Sequence, residues 1–127
     1  MIVLDASAAV AALQNDGAAR RTVAGETINA PHLIDAEVVS ALRRQVAAGQ
    51  IADTQARQGL DVWRQLGLLR YDAVPLLDRV WELRNSVTAY DALYVALAEN
   101  LDCPLVTADA RMAGANGPRC VISVVRA

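Results

Sequence analysis

Apolar and polar positions along the chain alternate between short solid blocks and helical stripes. Ile2, Val3 and Leu4, closed by Asp5, read as a buried strand within Met1–Asp5. Ser7 to Leu13 continues as a small Ala-rich helix, and a loop at Asp16 and Gly17 leads to a second over Ala18–Ala24. Thr27–Ala30 is a weaker strand before Pro31, and a long helix follows from Leu33 to Ala48, stopped by Gly49. Asp53 to Leu66 is helical, with Ala56, Leu60, Trp63 and Leu66 spaced as one buried face. Leu68–Tyr71 is a strand or extended link. Pro75 suits the first turn of a helix carrying Leu76, Leu77, Val80, Trp81 and Leu83 inward, and Thr88 opens another that runs to Asn100. Pro104–Thr107 is a good strand, Asp109–Ala113 a helical turn and Cys120–Val125 a last strand. Strands separated by helices, with few hairpin signals, predict an α/β fold. The expected core is a mostly parallel sheet of four to five strands flanked by helices. No repeat, low-complexity tract or linker breaks the chain, so residues 1–127 are expected to form one domain.

Composition sharpens this picture. Of 127 residues, 54% are apolar, and Leu, Ile and Val total 35, which rules out disorder. Another 25 are Ala, favouring helices and close packing. The charge is −2, too close to neutral for a protein that coats nucleic acid but compatible with a local groove that holds it. All 12 basic residues are Arg, which excludes every lysine-dependent chemistry. No apolar run approaches the ~20 residues of a membrane span, and the N-terminal stretch does not read as a signal peptide. Two cysteines, Cys103 and Cys120, do not make a disulfide framework, so a reduced, cytoplasmic protein is expected.

The acids carry the candidate chemistry. In open parallel sheets, sites collect at the carboxyl ends of strands. Asp5 ends the first strand and Asp109 follows the strand containing Val106. Glu37 lies near the start of the long helix and Asp91 in the first turn of another. Singly, each has a plain structural role. Asp5 or Ser7 can cap the first helix and Asp109 the short one. Thr88 and Asp91 resemble a capping box, and Glu37 and Asp35 suit a helix start. Together they weigh differently, because Asp91 stands in an otherwise uncharged, mostly apolar stretch from Ala89 to Ala98. Two such charges ~5 Å apart repel by ~3 kcal/mol at an effective dielectric near 20. With no Lys to relieve them, a hard divalent cation is the natural partner: Mg²⁺, with Mn²⁺ as a substitute. No Cys/His set exists for zinc.

Four segments carry these acids in order: Met1-Ile-Val-Leu-Asp-Ala-Ser7, Pro31 to Arg44 around Glu37, Thr88-Ala-Tyr-Asp-Ala-Leu-Tyr94 onward to Glu99, and Leu105-Val-Thr-Ala-Asp-Ala-Arg111. In order, spacing and length the chain resembles the PIN-domain ribonucleases, and more narrowly the VapC toxins of type II toxin–antitoxin modules. The resemblance implies a metal-dependent endoribonuclease with Asp5, Glu37, Asp91 and Asp109 as its catalytic, metal-binding acids. Ser7 and Thr107 match the supporting hydroxyl positions. It also implies a homodimer, a VapB-type antitoxin partner, and a structured RNA substrate such as a tRNA or a ribosomal RNA loop. Asp35 ranks below the four as a helix-start residue.

Arg44, seven residues after Glu37, falls on the same helix face ~10 Å along and is the leading phosphate contact. Arg43, Arg84 and Arg111 are weaker candidates. Tyr90, Tyr94 and both tryptophans read as core, and His32 as a loop residue. A receiver-like domain would need a lysine, and a dehalogenase-like phosphatase a second Asp where Ser7 stands. A PIN nuclease of RNA processing without an antitoxin, or an inactive PIN scaffold, is the alternative.

Overall fold

Five short strands form a single all-parallel sheet in the computed structural model, which describes residues 1–126. They are β1 (Ile2–Leu4), β2 (Ile28–Pro31), β3 (Leu68–Tyr71), β4 (Leu105–Thr107) and β5 (Ile122–Val124). Six helices connect them: α1 (Ala6–Gln14), α2 (Ala18–Val23), α3 (Leu33–Ala47), α4 (Asp53–Gln65), α5 (Leu77–Glu82) and α6 (Ala89–Leu101). Short 3-10 turns at Val74–Leu76 and Ala110–Gly114 complete the connections. The expected fold class holds, with five strands rather than four, and Leu68–Tyr71 is a true strand paired along its length with β2.

The strand order β3-β2-β1-β4-β5 decides where a site can form. The chain builds outward from β1 to β2 and β3 on one side, then returns to place β4 and β5 on the other. The order therefore reverses between β1 and β4, whose register pairs Val3 with Leu105 and Leu4 with Val106. At such a switch point the connections leave in opposite directions and open a crevice beyond the carboxyl ends. Asp5 lies just past one of these two strands, and Thr107 ends the other.

Both central strands are buried along their length, which matches their unbroken apolar runs. Helix α6 lies across β1, β2 and β4, and Ala92 and Tyr94 through Ala98 are all buried in it, which accounts for its uncharged sequence. One polar network crosses this core. Asn29, fully buried on β2, donates to the Ile2 and Thr27 carbonyls and accepts the Tyr71 hydroxyl at 2.7 Å. Gly49, at φ +73°, takes the left-handed conformation just beyond α3 that side chains resist.

Several residues expected inside lie outside. Leu66 is 38% exposed, because it already belongs to the extended link that leaves α4. Leu77 and Trp81, at 50% and 67%, point away from the core. Helix α5 has only six residues and follows a 3-10 turn, so a single stripe of it can face inward. That stripe runs through Leu76, Arg79, Val80 and Leu83. The Arg79 guanidinium fixes it, donating to both Glu99 oxygens of α6 at 2.7 and 3.1 Å. Burial raises the pKa of Glu99, but Arg79 and the Arg119 amide outweigh it and hold the carboxyl below its ordinary range. Tyr90 is likewise 61% exposed rather than core.

Candidate active site

Asp5 leaves β1 in an extended conformation and caps α1, accepting the Ala8 N–H at 3.0 Å. The Ser7 hydroxyl donates to the same oxygen, Oδ1, at 2.7 Å, and the Thr107 hydroxyl donates to Oδ2. Each hydroxyl has a single proton, and both are spent on Asp5. The 3.2 Å separation of Ser7 Oγ and Thr107 Oγ1 is therefore a contact between two acceptors. Two amides of the β4 loop set this polarity: Ala108 N–H donates to Ser7 and Asp109 N–H to Thr107, at 2.9 and 3.0 Å. Asp5 is only 7% exposed, and burial raises its pKa despite these three donors, with Asp109 adding to the rise.

Three further acids reach the same cleft. Glu37 sits in the second turn of α3, half-buried, and accepts the Tyr94 hydroxyl at 2.6 Å. Burial raises its pKa, and the charges of Asp91 and Asp5 push the same way. Asp91 stands in the first turn of α6, where its own N–H is capped by Thr88 at 3.2 Å. Its pKa is raised by burial and then by Asp5, with Thr88 opposing. Asp109 behaves oppositely. Arg111 clasps it through Nε at 3.1 Å and Nη2 at 2.9 Å, and this holds its carboxyl below the ordinary range.

The cleft, about 300 Å³, is lined by all four acids together with Ser7, Tyr94 and Arg44. Its acids come from four separate segments of the chain, brought together by the switch point between β1 and β4. Arg44 enters from α3 beside its Ser40 partner, with Nη1 to Oγ at 2.9 Å. The four acids share a cleft without being drawn tight: among the described residues no three His, Cys, Asp or Glu side chains already form a ligand set. Each of three has its own partner, Asp109 in Arg111, Glu37 in Tyr94 and Asp5 in its three donors. The donor set nevertheless fits a hard divalent cation. It is all oxygen, and three of its carboxylates resist ionisation partly because of each other, a cost that a dication removes.

Residues ranked lower in the sequence lie elsewhere. Asp35, two positions from Glu37, falls on another face of α3, where it accepts Trp63 Nε1 at 2.8 Å and a bidentate Arg70 at 2.7 and 2.8 Å. Burial of Trp63 at 4% exposure matches its core reading. His32 is exposed beside Asp72. The residue pattern marks Tyr94 only as core. Its ring is buried at 2% exposure, yet its hydroxyl reaches the cleft. The signal that points there is its spacing, three residues after Asp91 and so on the same helix face.

Comparison with known proteins shows the family. A model of the PIN domain matches residues 2–117. The chain is 50% identical over 125 residues to a VapC ribonuclease of Mycobacterium bovis, covering 98% of both. It is also 50% identical over 129 residues to ribonuclease VapC1 of Mycobacterium tuberculosis, covering 98% of this chain and 97% of the relative. Among solved structures, PAE2754 of Pyrobaculum aerophilum superposes with a TM-score of 0.71 at 25% identity, covering 97% of this chain and 83% of that one. VapBC2 of Rickettsia felis, solved on a DNA fragment of its promoter, shares the fold at a TM-score of 0.70 and 17% identity, covering 98% and 99%.

Proposed function

The chain belongs to the PIN-domain family, among its VapC ribonucleases, and we propose that Asp5, Glu37, Asp91 and Asp109 are the acids with which it hydrolyses RNA. The observation that carries this reading is the convergence of four acids, from four segments, on one cleft at the switch point of the sheet. Mg²⁺ is the cation the site takes, with Mn²⁺ as a substitute, and Asp5, Glu37, Asp91 and Asp109 hold it. When bound, such an ion lowers the pKa of a water and neutralises charge at the scissile phosphate.

The protein's own groups do the positioning. Ser7, Thr107 and the Ala8 amide hold Asp5 in place with both oxygens oriented. Tyr94 fixes Glu37 from the buried side. Arg44, on the cleft wall beside Ser40, contacts a neighbouring phosphate of the substrate. The cleft offers no Cys, His or Lys nucleophile among the described residues, and its Ser7, Tyr94 and Ser40 hydroxyls are engaged by Asp5, Glu37 and Arg44, which favours water as the attacking group.

The VapC relationship further supports a toxin of a VapBC-type module, neutralised by a VapB-type antitoxin, with a structured RNA such as a tRNA or ribosomal RNA loop as substrate. It acts in the cytoplasm as a homodimer. Val62 on α4 and Leu66 just past its end, 51% and 38% exposed, provide apolar surface for self-association. No helix of the described residues is long and apolar enough to cross a membrane.

The test is to incubate the purified chain with total RNA and map the new ends. Cleavage is expected with Mg²⁺ and none with EDTA. Asp91→Asn should lose cleavage while keeping its far-UV circular dichroism and its melting transition. Cleavage that survives EDTA, or an Asp91→Asn chain cutting at the wild-type rate, would overturn the assignment.

A further inference from the structure

Beyond the acids the cleft continues into a second hollow, which shares Asp91 and Asp109 with the first and is walled by Arg84, Asn85, Thr88 and Arg111. The two hollows are thus one groove with the acids at its middle, Arg44 at one end and Arg84 with Arg111 at the other. Local structure makes the Arg84 end a built feature. Leu83, 1% exposed, anchors the turn after α5, and its carbonyl accepts the N–H groups of Ser86 and Val87. The chain then passes directly into Thr88, the cap of α6, and so to Asp91.

Arg84 itself is held. Its guanidinium carbon lies 4.5 Å from the centre of the Trp81 ring, and Nη1 donates to the Trp81 carbonyl at 2.9 Å. The indole, 67% exposed, therefore lies against the guanidinium, while Nε and Nη2 stay free of protein partners among the described residues. A planar guanidinium held against an indole, with its Nε–Nη2 edge open, is available for in-plane, two-point donation to a phosphate. This also accounts for a large apolar side chain left in solvent on a helix whose inward stripe is complete without it.

We propose that this second hollow is a subsite for a nucleotide flanking the cut, with Arg84 as its phosphate ligand and Trp81 as the residue that positions Arg84. The proposal rests on the ribonuclease reading and adds to it the course of the RNA strand: from Arg44, across the acids, to Arg84. Arg111 lies along the same wall but points its Nε and Nη2 at Asp109, whereas the same edge of Arg84 is open.

Two measurements test it. The first is the anisotropy of a fluorescein-labelled, twelve-nucleotide single-stranded RNA, titrated in EDTA over a range of salt. Arg84→Ala should bind several-fold more weakly, with a salt slope shallower by ~0.7, the value of one phosphate contact on a single strand. Trp81→Ala should also bind more weakly but keep the wild-type slope, because the charge remains. Both side chains are exposed, so unchanged melting temperatures are expected. The second is cleavage, with Mg²⁺, of nested oligonucleotides around a mapped cut. On one side of the cut, one added nucleotide should raise kcat/KM in the wild type and not in Arg84→Ala.

A wild-type chain that neither binds nor cuts RNA would remove the ribonuclease reading itself. A wild-type chain that cuts RNA, with slope and length dependence unchanged in Arg84→Ala, overturns the subsite alone. So does an Arg84→Ala chain that handles RNA normally but loses a protein partner.

Discussion

Replacing Asp5 by Asn should stabilise the metal-free protein, although it removes the most deeply buried acid of the cleft. Two unit charges roughly 7 Å apart repel by about 2 kcal/mol at an effective dielectric near 20. Asp5 shares its cleft with Glu37 and Asp91, which Arg44 and Arg111 offset only in part, and with Asp109, which Arg111 clasps. The hydrogen bonds survive the change. The substituted side chain would keep its oxygen toward Ser7 and Ala8 and turn its amide nitrogen toward Thr107. Thr107 would then swing its proton to Ser7 Oγ, 3.2 Å away, so both hydroxyls and the Ala8 amide again have an acceptor. Against the relieved repulsion stands the weakening of three charge-assisted bonds, about 2 kcal/mol in all. The net gain is about 1–3 kcal/mol, or a rise in Tm of roughly 3–10 °C for a domain of this size.

Asp5→Ala is the control, because it leaves the Ser7, Thr107 and Ala8 donors without their acceptor and should lower Tm. The pH dependence follows from the raised pKa of Asp5, whose ordinary value is 3.8. A carboxyl that binds its proton more tightly folded than unfolded destabilises the fold above its folded pKa. That penalty is relieved as pH falls toward the unfolded value. The advantage of Asp5→Asn over wild type should therefore shrink as pH falls through the folded value toward 3.8. Calorimetry in EDTA across this range measures it, and an Asp5→Asn chain that melts below wild type at pH 7 would refute the reasoning.

Tyr94→Phe keeps the buried ring and removes the hydroxyl that holds Glu37, so cleavage should fall about tenfold and Mn²⁺, followed by electron paramagnetic resonance, should bind more weakly. Wild-type metal affinity in that variant would reduce Tyr94 to a packing residue. Asp35, whose pKa the Arg70 hydrogen bonds lower, contributes stability that is present above its ordinary 3.8 and lost as pH falls through its folded value. Asp35→Ala should accordingly melt below wild type at pH 7, converge with it in strong acid, and cleave RNA normally. Loss of cleavage at unchanged stability would place Asp35 in the site after all.

What the sequence makes legible is governed by locality. The ends of β1 and β4 are visible because each is a short apolar run stopped by a polar residue, and parallel strands bring such ends together. Asp91 stands out because α6 is otherwise uncharged and buried along most of its length. Arg44 is found by counting seven residues along one helix. The misses have the opposite character. The apolar pattern places Trp81 inward because α5 is too short for periodicity to fix its phase; the deciding contact, Arg79 with Glu99, spans twenty residues. Tyr94 serves two environments at once, apolar around its ring and polar at its hydroxyl, and a residue pattern records only one. The partners of Asp35 lie 28 and 35 residues away, on α4 and β3, where no local spacing points to them.

The cleft consequently divides into a fixed half and an adjustable half. Asp5 is held by donors from α1 and β4, and the two hydroxyls among them are themselves oriented by the amides of Ala108 and Asp109. To move Asp5 requires breaking several bonds in a buried network, each of which would leave a polar group unpaired. Asp109 is held chiefly by Arg111, a side chain 92% exposed, and an ion pair so open to water is worth little. In a chain without lysine, Arg111 is the charge that keeps Asp109 ionised, while Asp5, Glu37 and Asp91 share a potential that Arg44 and Arg111 offset only in part. A competing cation would therefore meet one anchored ligand, Asp5, and one that it can draw in at low cost, Asp109. That asymmetry follows from the fold, since Asp5 caps a nine-residue helix packed against the sheet, whereas Asp109 caps only the short turn that follows β4.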